Sequence, residues 1–98
     1  MKVTWSTRSR TRMQAVRRHI ARDDPAAANR LIELILLQGN ELAHFPRRGR
    51  VVLEVANEDV RELIIKGYRV LYEITDESIE ILTVFEGHRL LRDDELED

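Results

Sequence analysis

The spacing of the apolar residues changes once along this 98-residue chain, and the change limits the folds that it can adopt. Before the turn Pro46–Gly49 the apolar residues recur at helical intervals, whereas after it they alternate with polar residues as in half-buried strands. Helices followed by a run of strands are typical of an α+β domain, in which the helices cover one face of an antiparallel sheet. The sequence therefore predicts one such domain over residues 1–98, with residues 90–98 as a frayed acidic tail.

The first part of the chain predicts a short strand, Lys2–Trp5, and a helix over about Arg8–Arg22. Ser6 or Thr7 can cap this helix, because a hydroxyl accepts from the unpaired N–H groups of the first turn. The apolar stripe of the helix consists of Met13, Val16 and Ile20. Its arginines lie mostly off that stripe, so we expect an amphipathic helix with a basic outer face.

A second helix is predicted over about Pro25–Phe45, with Asp24 as its cap and Pro25 at its first position. Gly39 interrupts this helix at a cost of about 1 kcal/mol relative to alanine, so we expect another side chain to pack against it. Because the link between the two helices is minimal, they are expected to form an antiparallel hairpin.

Four strands are predicted after the turn, at Arg50–Val55, Val60–Ile65, Tyr68–Ile74 and Ile79–Glu86. Lys66 and Gly67 form a two-residue hairpin loop, which pairs Ile65 with Tyr68 and Arg61 with Tyr72. A four-residue turn before the last strand would place Ile74 opposite Ile79, Tyr72 opposite Ile81 and Tyr68 opposite Phe85.

This register assigns side chains to the two faces of the sheet. The face expected to pack on the helices collects Leu63, Ile65, Tyr68, Val70, Tyr72, Ile74, Ile79, Ile81 and Phe85. The other face carries Ile64, Arg69, Leu71, Leu82 and Val84 beside Glu62, Glu73 and Glu80. A half-apolar face with one arginine in its middle is predicted to meet a ligand or partner.

Charge is distributed unequally between the two halves. Residues 1–50 carry eleven basic and four acidic side chains, whereas residues 51–98 carry five basic and fourteen acidic ones. Fourteen of the sixteen basic residues are arginines, which suit bidentate pairing with phosphate or carboxylate. The basic half can therefore meet nucleic acid or an acidic protein segment, or it can be solvated and paired with the acidic half of the same chain.

Composition excludes several classes of function. The chain has no cysteine, so disulfides, thiolate zinc sites and cysteine nucleophiles are excluded. Its longest apolar run, Leu34–Leu37, is four residues, against about 20 for a membrane span, and Met1–Arg12 shows no signal-peptide pattern. Its three histidines are widely separated and its glycines are isolated, so we expect neither metal nor cofactor. These features predict a cytoplasmic protein.

Two groups of residues have the chemistry for a functional site. Arg69 on an exposed sheet face, with His88 near its end, is suited to stabilising a phosphorane-like transition state while the imidazole transfers a proton. The alternative pairs Arg69 with Glu62 or Glu73. The second group is the turn Arg47–Arg50, whose three arginines can contact DNA phosphates or an acidic peptide, or can simply be solvated.

The order of these segments resembles the ParE branch of the RelE/ParE toxins, from Trp5 to Arg89. The segments that carry the resemblance are Trp5, Asp23–Ala28, Phe45–Arg50, Val60–Leu63, Tyr68–Tyr72, Ile79–Val84 and Gly87–Arg89. The resemblance implies a β-α-α fold followed by an antiparallel sheet. It also implies the toxin of a type II toxin–antitoxin pair, of the kind that stabilises plasmids or chromosomes, held inactive by a ParD-like antitoxin in a hetero-oligomer.

The family has two activities, and the resemblance implies different residues for each. The RelE-like branch cuts mRNA in the ribosome and needs basic groups on the first strand after the helices, a central arginine, and a C-terminal Tyr or His. Arg69 matches the central arginine and His88 lies near the C-terminal position, followed by Arg89, but Val51–Val55 contains no cation. We therefore favour the ParE-like branch, which inhibits DNA gyrase without chemistry, over mRNA cleavage or a degenerate toxin that only binds its antitoxin.

Binding residues are expected on two surfaces. The target is expected to contact Arg47, Arg48, Arg50, Arg61 and Arg69. An amphipathic antitoxin helix is expected on the helical hairpin and the neighbouring sheet edge, at Arg10, Met13, Val16, Arg17, Ile20, Leu31 and Ile35.

Overall fold

The computed structural model describes residues 1–87, which form two helices packed on one face of a five-stranded sheet. In chain order the elements are β1 (Lys2–Trp5), α1 (Thr7–Ala21), α2 (Pro25–Glu41), β2 (Arg50–Val51), β3 (Val60–Ile65), β4 (Tyr68–Ile74) and β5 (Ser78–Glu86). The predicted α+β class and helical hairpin are confirmed. The predicted tail at residues 90–98 lies outside the described residues.

The strand order is β1-β5-β4-β3-β2. Strands β2 to β5 pair antiparallel, but β1 runs parallel to β5 at the edge of the sheet, with Lys2 opposite Ser78 and Trp5 opposite Ile81. The sheet is therefore mixed rather than purely antiparallel. A local apolar pattern cannot show which edge β1 joins, because its partner lies more than seventy residues away in the chain.

Ser6 fixes the start of α1 to the sheet. Its hydroxyl accepts a hydrogen bond from the N–H of Ser9 at 3.0 Å, which is the bond of a helix cap. The same hydroxyl donates to the carbonyl of Leu82 on β5 at 2.8 Å, and the N–H of Ser6 donates to the carbonyl of Ile81 at 3.0 Å. One buried serine thus begins the first helix and joins it to the last strand.

A β-bulge interrupts the pairing of β4 with β5. Leu71 lies opposite Thr83, but the next residue, Tyr72, lies opposite Ile81, so Leu82 is an extra residue without a partner on β4. Its carbonyl is the group to which Ser6 donates.

The bulge makes one predicted pairing wrong. Tyr72 and Ile74 have their expected partners, but Tyr68 lies opposite Glu86 instead of Phe85. Because one extra residue exchanges the two faces of a strand, Val84 belongs to the helix-side core and Phe85 to the opposite face. The sequence assigned these two residues the other way round.

The helix-side core is built from both helices and the three central strands. Its buried members are Met13, Leu31, Ile32, Ile35, Leu42, Leu63, Ile65, Val70, Tyr72, Ile79, Ile81 and Val84. The indole of Trp5 packs on Gly39, so closely that a Cβ at Gly39 would lie 2.6 Å from two of its ring carbons. This contact confirms the expectation that another side chain packs against the glycine.

The opposite face of the sheet is covered by residues 52–59, which we call the covering segment. The strand predicted over Arg50–Val55 is too long: β2 ends at Val51, and a turn follows in which the N–H of Val55 donates to the carbonyl of Val52 at 3.1 Å. Val52 is fully buried with Val60, Leu71 and Phe85, and Val55 packs against them. A second, smaller core therefore occupies a face expected to be open.

Helix α2 also ends earlier than predicted, at Glu41 instead of Phe45. The N–H groups of Leu42 and Ala43 donate to carbonyls three residues earlier, those of Gly39 and Asn40, at 3.2 Å each, which is the pattern of a tight turn. Neither helix of the described residues combines the length and the apolar character that a membrane span requires.

We expect Ser6→Ala to lower the free energy of unfolding by about 2–4 kcal/mol, because it removes a helix cap and leaves the Leu82 carbonyl unpaired. Asp24→Ala is the matched control, since Asp24 caps α2 by accepting from the N–H of Ala27 at 3.0 Å on the exposed surface. It should lose only about 1 kcal/mol. Urea denaturation followed by circular dichroism measures both, and equal losses would contradict the anchoring role of Ser6.

Candidate functional site

Arg69 on β4 lies on the sheet face opposite to the helices, and it is only 6% exposed. Its Nε donates to Glu62 Oε1, and Nη1 and Nη2 donate to the two carboxylate oxygens of Glu54 at 3.0 and 3.2 Å. Its guanidinium carbon lies 5.1 Å from the ring centre of Phe85. The expectation of an exposed arginine is therefore wrong, because the covering segment brings Glu54 over it, and the alternative pairing with Glu62 is confirmed.

Glu62 connects this arginine to a second one. Its Oε2 accepts from Arg50 Nε at 3.0 Å, so that the buried carboxylate bridges Arg50 and Arg69. Burial lowers the pKa of Arg69, but the hydrogen bonds to Glu54 and Glu62 outweigh it and raise that pKa above its usual value. Two arginines and two carboxylates thus form a charge network with no net charge.

A cleft of about 470 Å³ opens beside the charge network, lined by Arg50, Val51, Leu53, Glu54, Glu62, Arg69 and Gly87. Its buried cation, Arg69, bonds to carboxylates through Nε, Nη1 and Nη2, so a phosphate would have to displace one of them to reach it. Arg50 bonds to Glu62 through Nε and its side chain is 69% exposed. The predicted catalytic partners His88 and Arg89 lie outside the described residues.

The segment Phe45–Arg50, which we call the basic turn, is fixed to the sheet by Tyr72. The buried Tyr72 hydroxyl accepts from the N–H of Gly49 at 2.8 Å and donates to the carbonyl of Pro46 at 2.8 Å. Burial raises the pKa of Tyr72, so the hydroxyl keeps the proton that it donates. Arg61 Nη1 adds a bond to the carbonyl of Gly49 at 3.0 Å. The backbone of the turn is thereby held in one conformation.

The side chains of the basic turn project into solvent. Arg47 pairs with Asp59 and Arg48 with Glu41, both at 3.9 Å and between exposed side chains, so each pair contributes at most about 1 kcal/mol. The guanidinium carbon of Arg48 lies 4.7 Å from the ring centre of Phe45. Of the five residues predicted to bind the target, Arg47, Arg48, Arg50 and Arg61 thus lie on or beside one turn, whereas Arg69 is enclosed.

A groove lies between the helices and the hairpin loop of β3 and β4. It consists of two hollows that share the side chain of Tyr68. One, of about 150 Å³, is lined by Arg12, Ala15, Val16, His19, Val84, Phe85 and Glu86. The other, of about 420 Å³, is lined by Ile20, Ala27, Arg30, Leu31, Leu34 and Lys66. We call this the helix-edge groove, and it combines an apolar floor with a mainly basic rim.

The structure brings only part of the predicted antitoxin site into this groove. Val16 and Ile20 line it and are half-buried, whereas Met13 and Ile35 belong to the core and line neither hollow. Leu31, 8% exposed, contributes only to the floor. Arg10 and Arg17 are exposed but line neither hollow.

Sequence reasoning missed Arg30, Lys66 and Tyr68 as groove residues. The hairpin loop was the available signal, since it places Lys66 beside Tyr68, the residue that opens β4. Which helix faces that loop depends on tertiary packing, so no local sequence pattern identifies Arg30 as a groove residue. Among residues 1–87, the histidines, aspartates and glutamates form no group of three or more that could hold a metal ion.

Comparisons with known proteins agree on one family. The family model described as ParE toxin of type II toxin–antitoxin system, parDE, matches residues 3–91. The chain is 29% identical over 89 residues to toxin RelE2 of Caulobacter vibrioides, covering 90% of this chain and 97% of that protein. It is 31% identical over 90 residues to Y4kP of Sinorhizobium fredii, a toxin candidate, covering 90% of each chain.

Solved structures with a similar fold include the chromosomal ParDE toxin–antitoxin system from P. aeruginosa, with a TM-score of 0.72 at 18% sequence identity. The match covers 88% of this chain and 95% of the other. At this identity the likeness shows the fold alone.

We expect Arg69→Met to lower the free energy of unfolding by about 3–5 kcal/mol, because it leaves the Glu62 carboxylate buried beside an apolar side chain. Arg50→Met is the matched control, since it removes the other partner of Glu62 from a position where the side chain is 69% exposed. That variant should lose no more than about 1 kcal/mol. Urea denaturation midpoints, compared at an unchanged denaturation slope, measure the difference. Equal losses in the two variants would show that the buried partner of Glu62 stabilises the fold no more than the exposed one.

Proposed function

Because this chain belongs to the ParE family of toxins of type II toxin–antitoxin systems, we propose that it inhibits DNA gyrase by binding and performs no chemistry of its own. The observation that carries this proposal is that Arg69 is buried and bonded to two carboxylates. Cleavage of RNA needs cations placed to stabilise the negative charge that develops on a phosphate. Here the central arginine is enclosed by two carboxylates, and the cleft beside it has no net charge.

The segment after β2 supports the same proposal. Residues 51–55 contain no cation, and they turn over the sheet face instead of forming a basic strand. Glu54 from this segment neutralises Arg69, while Leu53 is 93% exposed. A surface that binds phosphates would instead carry basic side chains on this segment.

The basic turn is the surface that we assign to the target. Arg47 and Arg48 are exposed and weakly paired, and Phe45 is 54% exposed beside them. Arginine and aromatic residues are enriched at protein interfaces, and a backbone held by Tyr72 loses little entropy when it binds.

Ribosome-dependent mRNA cleavage is the alternative, and one observation favours it. The cleft beside the charge network reaches Gly87, which directly precedes His88 and Arg89 in the chain. If a ribosome displaced Glu54, Arg69 and His88 would be the residues for cleavage.

We expect the purified toxin to inhibit supercoiling by gyrase and to leave mRNA on programmed ribosomes intact. His88→Ala should inhibit growth within a few-fold of the unmodified toxin, because gyrase binding needs no proton transfer. In a general-acid role the same change would cost about 10²–10⁴ in rate. Loss of toxicity in a folded His88→Ala variant, together with mRNA cuts at defined codons by the unmodified toxin, would replace the gyrase proposal with the ribonuclease one.

We also propose that a cognate antitoxin occupies the helix-edge groove. The ParDE structure that shares this fold contains a toxin–antitoxin system, which supports such a partner. The apolar floor suits the apolar face of an amphipathic segment, and the basic residues Arg30 and Lys66 on the rim suit acidic residues beside it. Arg10 and Arg17 remain proposed contacts for acids of the antitoxin that extend beyond the groove.

We expect the double change Arg30→Glu and Lys66→Glu to weaken antitoxin binding by about tenfold or more, mainly through slower association. The matched control is Lys2→Glu with Arg22→Glu, which reverses two exposed charges outside the groove. Surface plasmon resonance at low and high salt measures both rates. Equal effects of the two pairs would show that the toxin attracts its antitoxin by overall charge and not at this groove.

A further inference from the structure

Phe45 is a large aromatic side chain that the fold does not use. It is 54% exposed and belongs to neither apolar cluster of the described residues. It opens onto a shallow hollow of about 470 Å³ whose other walls are Pro46, Arg47 and Arg48. An exposed ring beside two cations matches a ligand that has both a flat apolar part and a negative charge.

The backbone beneath the hollow is anchored to the sheet. Tyr72 holds the backbone on both sides of Arg47 and Arg48, since its hydroxyl bonds to Pro46 and to Gly49 at 2.8 Å each. A Cβ at Gly49 would lie 2.6 Å from that hydroxyl, so the close approach requires glycine. A ligand would therefore meet a preformed site and would not have to order a loop.

Arg47 and Arg48 can exchange their carboxylate partners for another anion. Their carboxylate partners, Asp59 and Glu41, lie at 3.9 Å and are 51% and 44% exposed, so water screens both pairs. Arg48 also lies over the Phe45 ring, an arrangement in which guanidinium and aromatic planes form a stacking surface. A phosphate can replace either carboxylate without uncovering a buried charge.

From these observations we propose that the basic turn binds an unpaired nucleotide of single-stranded nucleic acid, with the base stacked on Phe45 and the flanking phosphates on Arg47 and Arg48. An aromatic platform beside basic side chains is the usual means of binding single strands without reading their sequence. An acidic peptide would satisfy the arginines but would offer no flat group to stack on the ring. A duplex keeps its bases stacked inside and cannot present one to Phe45.

This inference adds a second ligand to the basic turn, which we also assign to the gyrase contact, so the two ligands would compete for it. Single-stranded DNA and single-stranded RNA offer the same stacking and phosphate chemistry, so either can supply the nucleotide. Binding by the toxin alone is measured without gyrase or ribosomes, and its outcome is therefore separate from the test of the proposed function.

The experiment measures fluorescence anisotropy of labelled oligonucleotides, about twelve nucleotides long, with the intact purified toxin. The probes are oligo-dT, oligo-U and a duplex of the same length, each at several salt concentrations. We expect both single strands to bind more tightly than the duplex, with a log–log salt slope of about −1.4 for two phosphate contacts. A preference for oligo-U would identify RNA as the source, a preference for oligo-dT would identify DNA, and equal affinity would support a site for both.

Phe45→Ala should weaken single-strand binding by about 5- to 150-fold, and Phe45→Trp should retain it, because stacking needs only a ring. Arg47→Gln and Arg48→Gln should each reduce the salt slope by about 0.7. The control is Leu37→Ala, which removes an apolar side chain that is 60% exposed on α2 outside the turn, and it should change nothing.

Three results would overturn the proposal. The first is binding of the duplex as tight as that of the single strands. The second is unchanged single-strand affinity in a Phe45→Ala variant whose melting temperature matches the unmodified toxin. The third is displacement of the oligonucleotide by hexaglutamate at an equal concentration of charge, which would show that the arginines act without the ring.

Discussion

The extra residue at Leu82 determines which side chains the last strand gives to each face of the sheet. Without it, Phe85 would point to the helices and Val84 would lie beneath Arg69. With it, an aromatic ring lies 5.1 Å from the guanidinium carbon and forms the floor of the second core. The bulge can persist because its carbonyl has a partner, the capping hydroxyl of Ser6, so the start of α1 and the arrangement of the far face depend on the same contact.

The charge network and the covering segment stabilise each other. Burying the charges of Arg69 and Glu62 is tolerable only when each has a partner, and here the carboxylates of Glu54 and Glu62 complete the bonds of Arg69. The same bonds hold Glu54, and therefore its segment, against Leu71 and Phe85. Because Arg69 is bonded to two carboxylates, it stabilises this face of the sheet and does not serve as a binding site for a phosphate.

The features that could be predicted from the sequence are those set by neighbouring residues. Asp24 caps α2, as its residue type indicates, and Gly67 takes the positive φ, 84°, that this hairpin loop requires. The exposed arginines of the basic turn were recognised for the same reason. Lys66, beside Gly67, also has a positive φ, 51°, which its residue type does not indicate.

The features that could not be predicted depend on residues far apart in the chain. The Leu82 bulge leaves no sign in the alternation of β5, and the burial of Arg69 is imposed by Glu54, fifteen residues earlier. The parallel pairing of β1 with β5 also joins opposite ends of the described residues, with Val3 beside Ile79 and Ser6 bonded to Leu82. During synthesis, β1 has no strand to join until β5 has also left the ribosome, because loop closure over such a distance must precede the contact. The first strand of the sheet is therefore the last to find its place.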